Sequence, residues 1–122
     1  MKYFDALGAK IVINQQDTLK FIASMPTEKK RYVRFVAKTI QSPSEIWLWM
    51  QEPRSLMRTY ISLYEIEETK EVAAIVVVCQ YNDQHENWNI NKAEILIKSE
   101  LNDFNHCVNT YRTSRLIFRA SN

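Results

Sequence analysis

Hydrophobic residues recur at helical spacing in the first third of this chain and at strand spacing in most of the remainder. Between residues 28 and 40 the apolar positions fall on one broad helical face. After Met57 apolar and polar residues alternate, which is the period of a β-strand with two different faces. The pattern predicts helices first and strands afterwards, and this order is typical of α+β folds with helices on one face of an antiparallel sheet.

The elements follow from this pattern together with capping residues and breaks. Residues 72–81 form a nearly continuous apolar run rich in β-branched side chains, which is typical of a central strand. The predicted elements are a strand over 10–14, a helix capped by Asp17, a basic helix over 28–40, a tryptophan helix over 42–51, strands over 57–64, 72–81 and 88–99, a helix capped by Ser99 and a strand over 116–119.

Three local signals agree on a helix start after residue 41. Ser42 can be the N-cap, Pro43 suits the first helical position, and Glu45 completes a Ser-x-x-Glu capping box. An apolar run over 46–50 follows at once, and Pro53 can end the helix. We therefore predict a short helix that buries two tryptophans.

The strand that begins at Met57 has two chemically different faces. Thr59 and Ile61 point one way, whereas Arg58 and Tyr60 point the other way. An arginine beside a phenol can clamp a phosphate and donate a hydrogen bond to it. A solvated polar face is the more ordinary interpretation of the same alternation.

Length and composition indicate one soluble globular domain over residues 1–122. The chain has 46% hydrophobic and 25% charged residues, which is ordinary for such a domain. No apolar run approaches the length of a membrane span, so no membrane association is expected. Cys79 and Cys107 both lie on apolar stretches and are expected to be reduced and buried.

Positive charge is concentrated in two places although the net charge is only +2. Arg31, Arg34 and Lys38 share one face of the basic helix, and Arg112 and Arg115 belong to a basic C-terminal segment. Such clusters permit a phosphate-binding surface. A solvated charged face is the commoner cause.

Several classes of site are disfavoured by the residues present. Gly8 is the only glycine, so glycine-rich phosphate loops are excluded, and no Cys-x-x-Cys pair exists. The segment 83–86 has no familiar metal-ligand spacing. We therefore expect neither a metal nor a cofactor. Metal-free RNA cleavage stays open, because it needs only a base, an acid and cations around the phosphate.

The order and spacing of several segments resemble one group of nucleases. These segments are Ile-Val-Ile-Asn at 11–14, Ala-Lys-Thr-Ile at 37–40, Ser-Pro-Ser-Glu-Ile-Trp at 42–47, Arg-Thr-Tyr-Ile at 58–61, Ile-Lys-Ser-Glu at 97–100 and Tyr-Arg-Thr-Ser-Arg-Leu-Ile-Phe at 111–118. The chain resembles the phage-associated branch of the barnase, EndoU, colicin and RelE (BECR) superfamily. Members of that branch occur as C-terminal toxin domains of larger secreted or phage-borne proteins, including those of contact-dependent growth inhibition.

The resemblance implies a ribonuclease with N-terminal helices packed on a four-stranded antiparallel sheet. Its active site would lie on the concave face of that sheet and would include Arg58, Tyr60, Ser99 and Arg112. Many members have threonine at the position of Ser99 and glycine at that of Ser114. The second departure affects the turn that places Arg112.

On this resemblance we expect Arg58 and Arg112 to bind the scissile phosphate, and Tyr60 and Ser99 to position it or to relay protons. His85 or His106 would be the acid or base, since a histidine near neutrality can act as either. A solvent-facing histidine without a role is an equal alternative. The residues expected to bind RNA are Arg31, Arg34, Lys38, Lys98 and Arg115.

The leading hypothesis is a toxin ribonuclease that is delivered as part of a larger protein and cleaves tRNA or another structured RNA in the target-cell cytoplasm. It implies an acidic immunity protein as a partner. The alternatives are a non-enzymatic immunity or adaptor module, and an RNA-binding domain without catalysis. A nuclease requires Arg58, Tyr60 and Arg112 to converge, whereas a binding module would expose Trp47, Trp49 or Trp88 as interface anchors.

Overall fold

The computed structural model describes residues 2–13 and 15–121. Three α-helices and seven strands are present in this part of the chain, together with short 3₁₀ helices at Thr27–Tyr32 and Lys98–Glu100. The bounds are β1 Lys2–Phe4, β2 Lys10–Val12, α1 Gln15–Ser24, α2 Arg34–Gln41, β3 Glu45–Gln51, β4 Ser55–Ile66, β5 Glu71–Asn82, β6 Asn87–Ile97, α3 Phe104–Asn109 and β7 Arg115–Arg119.

All seven strands join one sheet in the order β1-β2-β6-β5-β4-β3-β7. The α+β class is confirmed, but the four-stranded antiparallel sheet is not. Strands β3 to β6 form an antiparallel meander, the short strands β1, β2 and β7 extend it on both sides, and β2 pairs with β6 in parallel. Strand β1 was missed because it has only three residues and lacks the β-branched run that indicated the equally short β2.

The sheet is covered on both faces. On one face, which we call the helical face, Tyr32 and Ile40 from the N-terminal helices pack on Tyr60 of β4. On the opposite face, which we call the α3 face, Phe104 and Val108 pack on the sheet. Burial on both sides explains why β5 is apolar at successive positions rather than at alternate ones.

The predicted tryptophan helix is wrong, because residues 45–51 form strand β3. Ser42 ends α2 instead of starting a helix, since its N–H donates to the carbonyl of Lys38. Ile46 then packs into the core of the helical face, and Trp47 packs against that of the α3 face. Because β3 is buried on both sides, its residues form a continuous apolar run. Periodicity alone cannot distinguish such a strand from a buried helix.

Other elements differ from their predictions at the ends. The basic segment divides into a 3₁₀ helix and α2, and Asp17 lies inside α1 rather than before it. Ser99 lies in a 3₁₀ turn, so that α3 begins only at Phe104. Strand β2 ends at Val12, and Asn14, the last residue of that predicted strand, lies outside the described residues. The remaining strands confirm their predicted type and order.

Two further observations concern the described part of the chain. None of its helices is both long and apolar enough to cross a membrane. Cys79 and Cys107 carry free thiols, and Cys79 is buried in the core of the helical face, whereas Cys107 is only partly covered.

Candidate active site

A cleft of about 430 Å³ opens on the α3 face of the sheet. Its floor comes from strands β3 to β6, and its wall comes from the connection between α3 and β7. Because this connection covers the face of the sheet only in part, it leaves a concave surface, which is the shape that ligand sites require. The lining residues are Trp49, Gln51, Met57, Thr59, Val78, Asn91, Lys92, Thr110, Tyr111 and Thr113.

Strand register fixes a row of side chains across this floor. Lys92 is paired with Val78, Val78 with Thr59, and Thr59 with Trp47, so all four side chains point to the α3 face. At about 4.8 Å per strand, the row extends roughly 14 Å across the sheet. The hydroxyl of Thr59 accepts a 2.8 Å hydrogen bond from Nε1 of Trp49. A cation therefore lies at one end of the row and an aromatic ring at the other.

Glu45 and Arg112 form a two-pronged ion pair on the same face. Nε and Nη2 of Arg112 lie 2.8 and 3.0 Å from Oε1 and Oε2 of Glu45. Nη1 of Arg112 donates to Oδ1 of Asn109 at 2.7 Å, and Nε1 of Trp47 donates to Oε1 of Glu45 at 2.8 Å. Because Thr110, Tyr111 and Thr113 line the cleft, the pair fastens the wall of the cleft to its floor.

The pair is covered but not sealed from solvent. The side chains of Arg112 and Glu45 are 29% and 13% exposed. Burial raises the pKa of the Glu45 carboxyl, but hydrogen bonds from Arg112 and Trp47 and the charges of Arg112 and Arg119 outweigh burial and leave that pKa below its usual value. The carboxylate is therefore ionised at neutral pH, as a general base must be.

Arg58 and Tyr60 lie on the opposite face of the sheet. Nη1 of Arg58 is 2.7 Å from Oδ2 of Asp5, and the hydroxyl of Tyr60 donates to the same oxygen. The guanidinium of Arg58 also lies 4.5 Å from the ring centre of Trp88. The alternation of β4 is thus confirmed, but its polar face is covered by the β1–β2 hairpin and the N-terminal helices instead of being open to water.

Burial limits the chemistry of the cluster formed by Asp5, Arg58 and Tyr60. The side chains of Asp5 and Arg58 are 0% and 16% exposed, and Tyr60 is fully buried. Burial, reinforced by the Asp5 hydrogen bond, raises the pKa of Tyr60, and burial likewise raises the pKa of Cys79. A phenol in this position holds its proton at neutral pH. The cluster has the properties of a structural anchor for the N-terminal hairpin.

The convergence of Arg58 with Arg112 does not occur. Arg58 pairs with Leu48 across the β3–β4 ladder, whereas Arg112 binds Glu45, three residues away along β3 and therefore on the other face. An odd separation along a strand reverses the face. The sequence could not reveal this relation while residues 42–51 were assigned to a helix.

The remaining predicted catalytic residues lie apart from the cleft. His85 is exposed on the β5–β6 turn, Ser99 and Lys98 are exposed on the 3₁₀ turn after β6, and His106 is exposed on α3. The lining of the cleft includes none of these side chains. None of the six residues expected to be catalytic lines the cleft, and Arg112 comes nearest to it in the chain, because its neighbours Tyr111 and Thr113 are lining residues.

The basic residues of the N-terminal segment form a separate surface. Arg31, Arg34 and Lys38 are exposed, and each lies over an aromatic ring, at 5.0, 4.8 and 5.8 Å from the ring centre. Their elements pack on the helical face, which is opposite to the cleft. Arg115 is exposed at the start of β7.

Three residues important to these clusters were missed from the sequence. Glu45 was assigned to a capping box, although its position next to two tryptophans also suits a strand. Lys92 was placed on the third long strand without a role, and register alone brings it to the cleft. Asp5 gave no signal, because β1 is too short to recognise. Within residues 2–13 and 15–121, no three His, Cys, Asp or Glu side chains are grouped so that they could hold a metal ion.

Comparison with known proteins gives one match. A family model described as "phage-Barnase-EndoU-ColicinE5/D-RelE like nuclease2" matches residues 2–119, which is nearly the whole chain. No curated protein and no solved structure matches it. The family implies an enzyme that cleaves nucleic acid.

Proposed function

The chain belongs to the phage-Barnase-EndoU-ColicinE5/D-RelE like nuclease family, and on that premise we propose that it is a metal-independent ribonuclease whose active site is the cleft on the α3 face. The observation that carries this assignment is the pair of hydrogen bonds by which Arg112, which lies between the cleft-lining residues Tyr111 and Thr113, holds an ionised Glu45 beside the cleft. It puts a base and a cation side by side at the edge of the cleft, with 13% and 29% of their side chains exposed.

The proposed reaction is attack of the RNA 2′-hydroxyl on the adjacent phosphate. Glu45 takes the proton from the 2′-hydroxyl, because its carboxylate is ionised at neutral pH. Arg112 stabilises the charge that develops on the phosphorane oxygens through the N–H groups of Nη1 and Nη2 that its bonds to Glu45 and Asn109 leave free. The bond between phosphorus and the 5′-oxygen breaks, the departing 5′-oxygen takes a proton from water, and the products are a 2′,3′-cyclic phosphate and a free 5′-hydroxyl.

The cleft also has groups that can hold the chain of the substrate. Lys92 supplies a cation on the floor, and its ammonium lies 5.4 Å from the ring centre of Tyr111. Trp49 and Tyr111 are half-buried aromatic side chains on which unpaired bases can stack. This combination suits single-stranded RNA or the loop of a folded RNA better than a duplex.

The biological setting of the proposal follows from the resemblance to toxin domains. The domain would be delivered as part of a larger protein and would cleave tRNA or another structured RNA in the cytoplasm of a target cell. An acidic immunity protein would neutralise it by covering the cations around the cleft. The alternative of a non-enzymatic binding module is less well supported, because Trp88 is buried and Trp47 and Trp49 are only partly exposed.

The proposal is tested with total tRNA and an unstructured RNA in EDTA, resolved on a denaturing gel. Cleavage that leaves 2′,3′-cyclic phosphates, and that disappears when a single 2′-deoxynucleotide replaces the one at the cleaved position, is the expected result. Glu45→Gln protein purified in parallel excludes a contaminating ribonuclease. Intact RNA with folded wild-type protein, or cleavage of the 2′-deoxy substrate, would contradict the proposed chemistry.

A further inference from the structure

A second cleft lies beside the first, and its lining includes Gln80 and Asn89 from the α3 face together with Tyr81 and Ile90 from the helical face. It has a volume of about 350 Å³, is formed at the β5–β6 hairpin, and shares Asn91 with the first cleft. Asn91 is the extra residue of a β-bulge, because Val78 pairs with Lys92 while Cys79 pairs with Ile90. Bulges redirect a side chain out of the regular alternation, and at this one Asn91 lines both clefts.

Amide side chains dominate the second cleft. Gln80 and Asn89 are directly opposite each other on β5 and β6, on the same face as Lys92. Nε2 of Gln80 donates to Oγ of Ser55 at 3.1 Å, so its amide has a fixed orientation. Within the described part of the chain, no hydrogen bond engages the side-chain amides of Asn89 and Asn91. These two amides are therefore available to a ligand.

The lining chemistry indicates which part of a nucleotide would fit. An amide presents a donor and an acceptor in one plane, which complements the hydrogen-bonding edge of a nucleobase. Among the described residues that line this cleft there is no lysine or arginine, whereas the first cleft has Lys92 and adjoins Arg112. The second cleft instead has the carboxyl group of Asp83 beside its amides. The first cleft therefore suits phosphates, and the second suits an uncharged polar group.

We propose that the second cleft is a nucleobase-recognition subsite, in which Asn89 and Asn91 read the base edge of a nucleotide that neighbours the cleaved phosphate. This inference rests on the proposed function for its role in cleavage. It predicts that the enzyme prefers particular bases near the cleavage position. Asn82 is not one of the readers, because its Oδ1 already accepts the backbone N–H of Gln84 at 3.1 Å within the β5–β6 turn.

The cleavage test uses four short single-stranded RNAs that differ in one base next to a fixed cleavage position. Wild-type protein should show a kcat/KM difference of about tenfold or more between the best and worst base. Asn89→Ala should flatten that difference, and Asn89→Asp should change which base is preferred, because a carboxylate cannot donate a hydrogen bond. Asn102→Ala, an exposed asparagine outside both clefts, should leave the preference unchanged.

A binding measurement keeps the inference independent of catalysis. Isotope-labelled protein is titrated with each of the four nucleoside monophosphates and with ribose phosphate, while the side-chain amide resonances of Asn89 and Asn91 are followed by NMR. Shifts that depend on the base and are absent with ribose phosphate support the subsite. Equal shifts with all five compounds, or none, overturn it.

The two proposals can fail separately. RNA cleavage without base preference in the wild type, or with a preference that Asn89→Asp leaves intact, refutes the subsite and leaves the ribonuclease assignment standing. Base-dependent binding at Asn89 and Asn91 without any cleavage refutes the assignment and leaves the subsite standing.

Discussion

Arg112 and Glu45 are 67 positions apart in the sequence and are joined by two hydrogen bonds of 2.8 and 3.0 Å. This pair fastens the α3–β7 connection to β3 and thereby shapes one wall of the cleft. It also places a guanidinium and an ionised carboxylate side by side on a partly open surface. In the proposed mechanism, stability and catalysis therefore depend on the same two side chains.

Arg112→Lys tests the forked geometry rather than the charge. Lysine keeps the positive charge but cannot make two parallel hydrogen bonds, so it stabilises the phosphorane less well. We expect kcat/KM for RNA cleavage to fall about a hundredfold, with kcat accounting for most of the loss. Arg54→Lys, in the exposed β3–β4 turn, is the matched control. Equal activity of Arg112→Lys and the wild type would remove Arg112 from the catalytic site.

The Glu45–Arg112 pair should make the free energy of unfolding decrease in acid. The pKa of Glu45 is lower in the folded state than its usual value of 4.5, so ionisation favours folding above that value. The free energy of unfolding of the wild type relative to Glu45→Gln should stay constant between pH 7 and about pH 6, then decrease as the pH falls through the folded pKa. Urea unfolding at a series of pH values measures this difference, and a difference that grows in acid would contradict a lowered pKa of Glu45 in the folded state.

Asp5 and Arg58 should contribute mainly to stability. Removal of one member of a buried ion pair leaves the other charge uncompensated, and we expect Asp5→Ala to lower the free energy of unfolding by about 3–5 kcal/mol. Arg58→Ala should behave similarly. At a low temperature where both variants stay folded, kcat/KM for RNA cleavage should remain within a few-fold of the wild-type value.

The rate of RNA cleavage by Arg58→Ala protein also decides between two interpretations of the role of Arg58. Resemblance to the nuclease superfamily suggests that Arg58 binds the scissile phosphate, whereas the structure surrounds it with Asp5 and Trp88. Loss of cleavage by more than a hundredfold in folded Arg58→Ala protein would favour the catalytic interpretation. It would imply that the N-terminal hairpin moves away when RNA binds.

Lys92→Met should weaken RNA binding in a salt-dependent way. Lys92 is 55% exposed on the cleft floor, so methionine removes a charge with little effect on packing. We expect KM to rise several-fold at low salt, and the slope of log KM against log salt concentration to decrease by about 0.7, which corresponds to one phosphate contact on a single strand. Lys20→Met, on an exposed position of α1, should change neither quantity.

Sequence reasoning located most of the sheet because strands β4, β5 and β6 are long and have clear periods. It failed where a short segment is buried on both sides. In β3, Ile46 and Trp47 pack into the cores on opposite faces of the sheet, so apolar and polar residues do not alternate along this strand. The capping signals at Ser42 and Pro43 then favoured a helix. The family resemblance was confirmed by the match over residues 2–119, because it depended on the order of segments rather than on their secondary structure.

The site was harder to predict than the fold. Arg112 was named as a candidate because the resemblance pointed to it, but its pairing with Glu45 depends on the register between β3 and β7, which a single sequence does not give. Arg58 and Tyr60 were correctly placed on one face of β4. That this face is covered depends on Asp5 and on the three-residue strand β1, and neither could be recognised from the sequence.

The most direct test of this account is the single-turnover rate of RNA cleavage by Glu45→Gln protein, compared with Glu65→Gln as a matched control on an exposed position of β4. Glutamine keeps the shape of the side chain but cannot accept a proton from the 2′-hydroxyl. We predict a rate at least a hundredfold below wild type for Glu45→Gln, with folding confirmed by circular dichroism, and an unchanged rate for Glu65→Gln. A folded Glu45→Gln protein that cleaves RNA at the wild-type rate would show that the active site lies elsewhere.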